Sequence, residues 1–176
     1  MRSRRDAGVS STRPIARFCV GFLFLLILLS SIASTRLVGE TLHDHLTRMI
    51  VILAAPLLSL FGSTTTSGHY LSFNNFSASI EGACDGVQPT YIYICAVLAF
   101  PSRWRDKGWG LLIGIPAIFL INLIRVGTMM VCGAYWPSLF EQVHLYGWQA
   151  LVIVFTMSVW VFWAERFARP GYQASS

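Results

Sequence analysis

Three side chains in this chain could together carry acyl transfer: the thiol of Cys84, the guanidinium of Arg125 and the imidazole of His144. A thiolate attacks a carbonyl, an imidazole moves protons, and a fixed cation stabilises an oxyanion while lowering the thiol pKa. Arg125 is the most demanding of the three. It is the one charged residue between Lys107 and Glu141, and it lies inside the apolar run Trp109–Cys132. A guanidinium cannot give up its proton in a protein. At bilayer depth such a charge costs at least about 2.5–3.5 kcal/mol on insertion scales. It is kept only if it snorkels to the surface, is paired, or acts on something.

The neighbours of these residues leave several roles open. Asn122, one turn before Arg125, could orient the guanidinium or cap a neighbouring helix. Glu81 could pair with His144 or Arg125, or be a solvated loop charge. Asp85, beside Cys84, would raise the thiol pKa unless it is aimed away or paired, for instance with Arg125. Arg125 could equally pair with Glu141. Cys132 shares a helical stripe with Asn122, Arg125 and Met129, so a Cys84–Cys132 disulfide is geometrically conceivable. The glycines around Cys84 favour a backbone approached closely by a ligand instead. His69 sits in a Ser/Thr/Gly-rich loop, and His43 and His45 flank Asp44 in a polar connector.

The elements that must position these groups are membrane helices. The chain is 55% hydrophobic and 12% charged, roughly half the charged share of a soluble domain. Five apolar segments are visible: Ile15–Ala33, Met49–Phe61, Val87–Phe100, Trp109–Cys132 and Leu145–Phe162. The expected fold is an all-α integral membrane protein, a compact bundle of four to five transmembrane helices forming a single domain over residues 15–176. Residues 1–14 are expected to form a basic cytoplasmic tail ahead of an uncleaved first anchor. The net charge of +5 is no nucleic-acid signal, because ten of the thirteen basic residues lie in the N-terminal tail through Arg17, the loop Pro101–Lys107, and Arg166 with Arg169. Those clusters flank apolar runs as the positive-inside rule describes. Trp104, Trp109, Trp136 and Trp148 fit interfacial belts. No cysteines stand at ligand spacing, so neither a disulfide framework, a metal site nor a cofactor is expected.

All three basic clusters are expected in the cytoplasm, which demands an even number of crossings before Pro101. Met49–Phe61 has thirteen residues, contains Pro56 and follows Arg48. Runs of about 10–14 apolar residues are more often re-entrant or interfacial than spanning, which leaves four spans. Gly62–Ala83 is then extracytoplasmic. Within it Tyr70–Ile80 alternates apolar and polar residues about Asn74-Asn75, which predicts a short β-hairpin just before Cys84. Cys84, Arg125 and His144 converge on the outer face, His144 following an outer loop at Gly133–Val143.

The ordered motifs Glu81-Gly-Ala-Cys84-Asp-Gly86, Asn122-Leu-Ile-Arg125-Val and His144-Leu-Tyr-Gly-Trp-Gln149 resemble those of the exosortase/archaeosortase family, most closely the small exosortase H type, over about residues 57–163. Many family members carry Ser or Asn after the cysteine, where this chain has Asp85. The resemblance implies a multi-pass protein of the bacterial inner membrane, with its active site on the periplasmic side. It implies a cysteine peptidase or transpeptidase acting on exported proteins that bear a C-terminal sorting signal: a motif, a transmembrane helix and a basic tail. In that family pattern Cys84 is the nucleophile, His144 the acid/base, and Arg125 the oxyanion or substrate-positioning group, with Asn122, Glu81 and Asp85 in support. The substrate motif and the acceptor stay open. Two competing readings are a non-enzymatic scaffold whose Arg125 pairs with a partner helix, and a thiol-redox protein using Cys84 and Cys132.

Overall fold

The computed structural model describes residues 9–80 and 86–168, with the side chains of residues 9–14 and 36–38 left aside. Helix α1 (Val9–Ala33) is followed by α2 (Arg36–Ser59), strands β1 (Thr64–Ser67), β2 (Tyr70–Phe73) and β3 (Phe76–Ser79), then α3 (Val87–Ala99) and α4 (Trp104–Tyr135). A short α5 (Pro137–Gln142), a π-helical turn at Val143–Gly147 and α6 (Trp148–Trp163) complete the bundle, ending in a second π-turn at Ala164–Ala168. The protein is a mostly helical membrane protein. Among the described residues three stretches are long and apolar enough to cross a bilayer: Ile15–Ala33, Trp104–Tyr135 and Pro137–Ala168; α3 is apolar but shorter.

Packing at one end of the bundle fixes the relative directions of four helices. Phe18 on α1 meets Phe100, just past α3, and Trp160 on α6, each at 6.0 Å between ring centroids. Trp163 donates its indole N–H to the Asp106 carbonyl at 2.7 Å, and Tyr93 donates its hydroxyl to the Gly110 carbonyl at 2.9 Å. The start of α1, the ends of α3 and α6 and the start of α4 therefore share this end, so the helices alternate in direction. Arg17, Arg103, Arg105, Lys107 and Arg166 gather there too. Close approach depends on one residue in particular. A Cβ at Gly114 would stand 2.2 Å from the Tyr93 ring, so only glycine lets α3 lie this near α4.

The opposite half holds a second core. Ile50, Val51, Ala54 and Leu58 of α2 recur at helical spacing and pack on Val126 and Met130 of α4 and on Leu71, Phe73 and Ile80 from the sheet. Helix α2 thus belongs to the C-terminal half of α4, and it is not among the stretches apolar enough to span. Among the described residues α1, α3, α4 and α6 alternate in direction, three of them long and apolar enough to span and α3 shorter.

Several sequence expectations need correcting at their edges. The polar connector around His43–His45 is the first half of α2, because its buried face needs one apolar residue per turn and its other face can be polar. The outer loop Gly133–Val143 is largely helical: α4 runs on to Tyr135, Trp136 breaks it with φ −135°, and Pro137 restarts a helix at its first position. The expected hairpin exists, with Phe73 opposite Phe76 and Asn74 at φ 53° in the turn. It is extended to a three-stranded antiparallel meander by β1, whose Thr64 pairs with Phe73. Leu71 and Phe73 are wholly buried, so one face of this sheet is core rather than surface.

Candidate active site

Arg125 projects from the last third of α4 and is only 3% exposed, beside Asn122 at 1% and buried Met129. Counting from Trp109, about 20 residues span a 30 Å hydrocarbon core, which places Arg125 within about one turn of its far edge. Its charge is therefore held by the bundle rather than by lipid. The side chain opens onto a cavity of about 250 Å³ that it shares with Ser79 and Ile80 at the end of the sheet, Met129, Phe140 and His144. Arg125 and His144, 19 positions apart in sequence (144 − 125), thus face one space.

His144 is placed by an aromatic stack and by an irregular helix. Its ring lies parallel to that of Phe140, with centroids 5.7 Å apart and planes 5° apart, and Phe140 in turn packs on Phe76 of β3 at 4.9 Å. The pair stands at i, i+4 on adjoining turns, the spacing that brings side chains together on a helix. Between α5 and α6 the backbone widens into the π-helical turn Val143–Gly147, which carries His144 itself. Such single-turn expansions rotate one side chain out of the regular sequence of faces and occur often at functional sites.

Cys84, Glu81 and Asp85 lie outside the described residues. The residues on either side of them are placed. Ile80 is 3% exposed, lines the cavity with Arg125 and His144, and donates its N–H to the His69 carbonyl at 3.0 Å. On the other side Gly86 begins α3 with φ 73°, a left-handed conformation that side chains resist. A Cβ there would stand 3.0 Å from Asn122 Cγ, so the Gly86 backbone rests directly on the Asn122 side chain. Thr90 secures this start by donating its hydroxyl to the Gly86 carbonyl at 2.7 Å. Both flanks of the cysteine motif therefore reach the α4 turn that bears Arg125.

Among the other candidates, Glu141 is exposed and makes no ion pair with Arg125. Cys132 lines a separate apolar cavity of about 590 Å³, on the face of α4 that carries Ile124, Thr128 and Val131. Seven positions from Arg125, Cys132 keeps roughly the same side of α4 but is only partly buried and borders this second cavity. His69 is engaged by Asp44 at 2.6 Å. Among the described residues no cluster of three or more His, Cys, Asp or Glu side chains could hold a metal. Sequence reasoning missed Phe140, whose four-residue spacing from His144 was a usable signal, and the contact of Gly86 with Asn122, which had none.

A family model described as transmembrane exosortase (Exosortase_EpsH) matches residues 7–164. Searches of curated proteins and of solved structures return no significant match.

Proposed function

Because the chain belongs to the transmembrane exosortase family, we propose that it is a membrane cysteine peptidase or transpeptidase that cleaves C-terminal sorting signals of exported proteins through a thioester. The observation that carries this reading is the shared cavity: Arg125 and His144 line it together with Ile80, while Gly86 rests on Asn122, one turn from Arg125.

The chemistry follows from these groups. The Cys84 thiolate attacks the scissile carbonyl carbon, and the electron pair moves onto the carbonyl oxygen. Arg125, an obligate cation in a water-poor site, stabilises that oxyanion far better than it would in bulk water. As the C–N bond breaks, His144 gives a proton to the leaving amine, which departs with the substrate's transmembrane helix and basic tail. The acyl group stays on sulfur until an acceptor amine or water attacks the thioester, with His144 taking the proton from the attacker. Asn122, wedged between Gly86 and the Arg125 turn, keeps nucleophile and cation in register. Asp85 must be paired or turned from the sulfur for the thiolate to form.

The basic clusters gathered at the far end of the bundle support a cytoplasmic location for that end and a periplasmic one for the cavity, in the bacterial inner membrane. Such a site lies where an exported protein presents the segment just outside its own membrane helix. Hydroxylamine trapping tests the thioester directly. Added during turnover of a signal-bearing protein, it should convert the new C-terminus to a hydroxamate detectable by mass spectrometry. Cleavage that continues with no hydroxamate would contradict the acyl-enzyme.

A further inference from the structure

A polar clasp joins α2 to the sheet away from the cavity. Asp44 Oδ1 lies 2.6 Å from His69 Nε2, linking side chains 25 residues apart. Arg48, one turn further along α2, donates its Nε to the same oxygen at 3.0 Å, and His45 Nδ1 stands 3.9 Å from the other carboxylate oxygen. His69 occupies the β1–β2 turn, beside Gly68 at φ 60°. Its carbonyl accepts the Ile80 N–H at 3.0 Å, one step beyond the Tyr70–Ser79 pair. Ile80 is the residue that lines the Arg125–His144 cavity and precedes the segment carrying Cys84.

A continuous path therefore runs from α2 through Asp44 and His69 to the end of β3. The remaining attachments of the sheet to α2 and α4 are mainly apolar, with one long hydrogen bond of 3.5 Å from the Asn74 amide to the Tyr135 hydroxyl at the far turn. Hydrophobic contacts are non-directional, so they hold the sheet down without fixing its position along α2. A short hydrogen bond between a carboxylate and an imidazole does fix it.

We propose that Asp44 and His69 are positioning residues for the cleavage reaction: their clasp sets the end of β3, where Ile80 lines the cavity shared by Arg125 and His144. This inference rests on the reading of Cys84 as the nucleophile. Neither residue lines the cavity, so they act through the sheet and not on substrate. Misplacing a reacting group by about 1 Å can cost on the order of 100-fold; with the apolar attachments intact, the expected loss is about tenfold.

The test uses the full chain in membranes with a signal-bearing protein, comparing Asp44→Ala, His69→Ala, the double variant and His69→Gln, together with Cys84→Ala. Each alanine variant should lower kcat per folded enzyme about tenfold, with KM unchanged. The double variant should lose no more than either single one, because both break the same link. His69→Gln, whose amide can still donate to Asp44, should recover most of the rate. Amide exchange at Ile80 should quicken in the alanine variants. A purely structural clasp would reduce the amount of folded protein and leave kcat unchanged. Unchanged kcat, additive losses or unaltered exchange at Ile80 would each overturn the positioning role, and if Cys84→Ala is inactive in the same experiment the site reading survives that failure. Processing that persists in Cys84→Ala overturns the site reading and the positioning role with it.

Discussion

Replacing Gly86 by alanine tests how the cysteine motif is tied to Arg125. At φ 73° the backbone is left-handed, which costs an L-residue roughly 1–2 kcal/mol. The new Cβ would also stand 3.0 Å from Asn122 Cγ and 3.1 Å from its Nδ2, so the amide must give way by a few tenths of an ångström. Asn122 is buried at 1% exposure one turn from Arg125, and it has little room to yield without moving that turn. The sum is a destabilisation of about 2 kcal/mol, or roughly 4–8 °C in melting temperature for a chain of this size. Turnover should fall further than stability explains, by about 10–100-fold, because thiol and guanidinium move apart. Thermal melts in detergent and processing of a signal-bearing protein measure the two effects. Unchanged melting with full turnover would refute both the strained glycine and its contact with Asn122.

Other substitutions separate structure from chemistry. Arg125→Met should lower turnover of the folded protein at least about 100-fold, the usual loss of an oxyanion donor. A destabilisation of about 3–5 kcal/mol would instead mark Arg125 as half of a structural ion pair. Gly114→Val should prevent α3 from seating on α4, because even a Cβ would overlap Tyr93; loss of folded protein on size-exclusion chromatography checks this. The Asp44 carboxyl is held below its usual range because His69 and Arg48 donate to it. A depressed carboxylate stabilises above its unfolded pKa and ceases to do so as pH falls through the folded value. The melting difference between wild type and Asp44→Asn should thus be flat from neutral pH to about 4 and shrink only below that; a difference that fades near pH 6 would contradict it.

How much of this was legible in the sequence depends on the kind of signal. The spanning helices showed because apolar runs of that length have few other uses, and the Asn74-Asn75 turn showed because alternation on both sides framed it. β1 did not show: Thr64–Ser67 is mostly exposed and lacks apolar alternation, so backbone pairing to β2 alone makes it a strand. The first half of α2 was hidden by its polar outer face, although Thr47, Ile50, Val51, Ala54 and Leu58 already stood at helical spacing. Arg125 and His144 were legible as a pair because each was an exception in an apolar setting. The π-turn under His144 carries no composition signal. Neither does the Asp44–His69 clasp, whose partners meet only once the sheet has folded back on α2.

The central claim is that Cys84 is the nucleophile of the cavity formed by Arg125 and His144. Its most direct measurement is processing of a signal-bearing protein by Cys84→Ala and Cys132→Ala enzymes assayed side by side. Cys132 lines a different cavity, so its substitution should leave processing near the wild-type rate while Cys84→Ala abolishes it. Equal loss in both variants would point to a disulfide or redox pair, and processing retained in Cys84→Ala would contradict the claim outright.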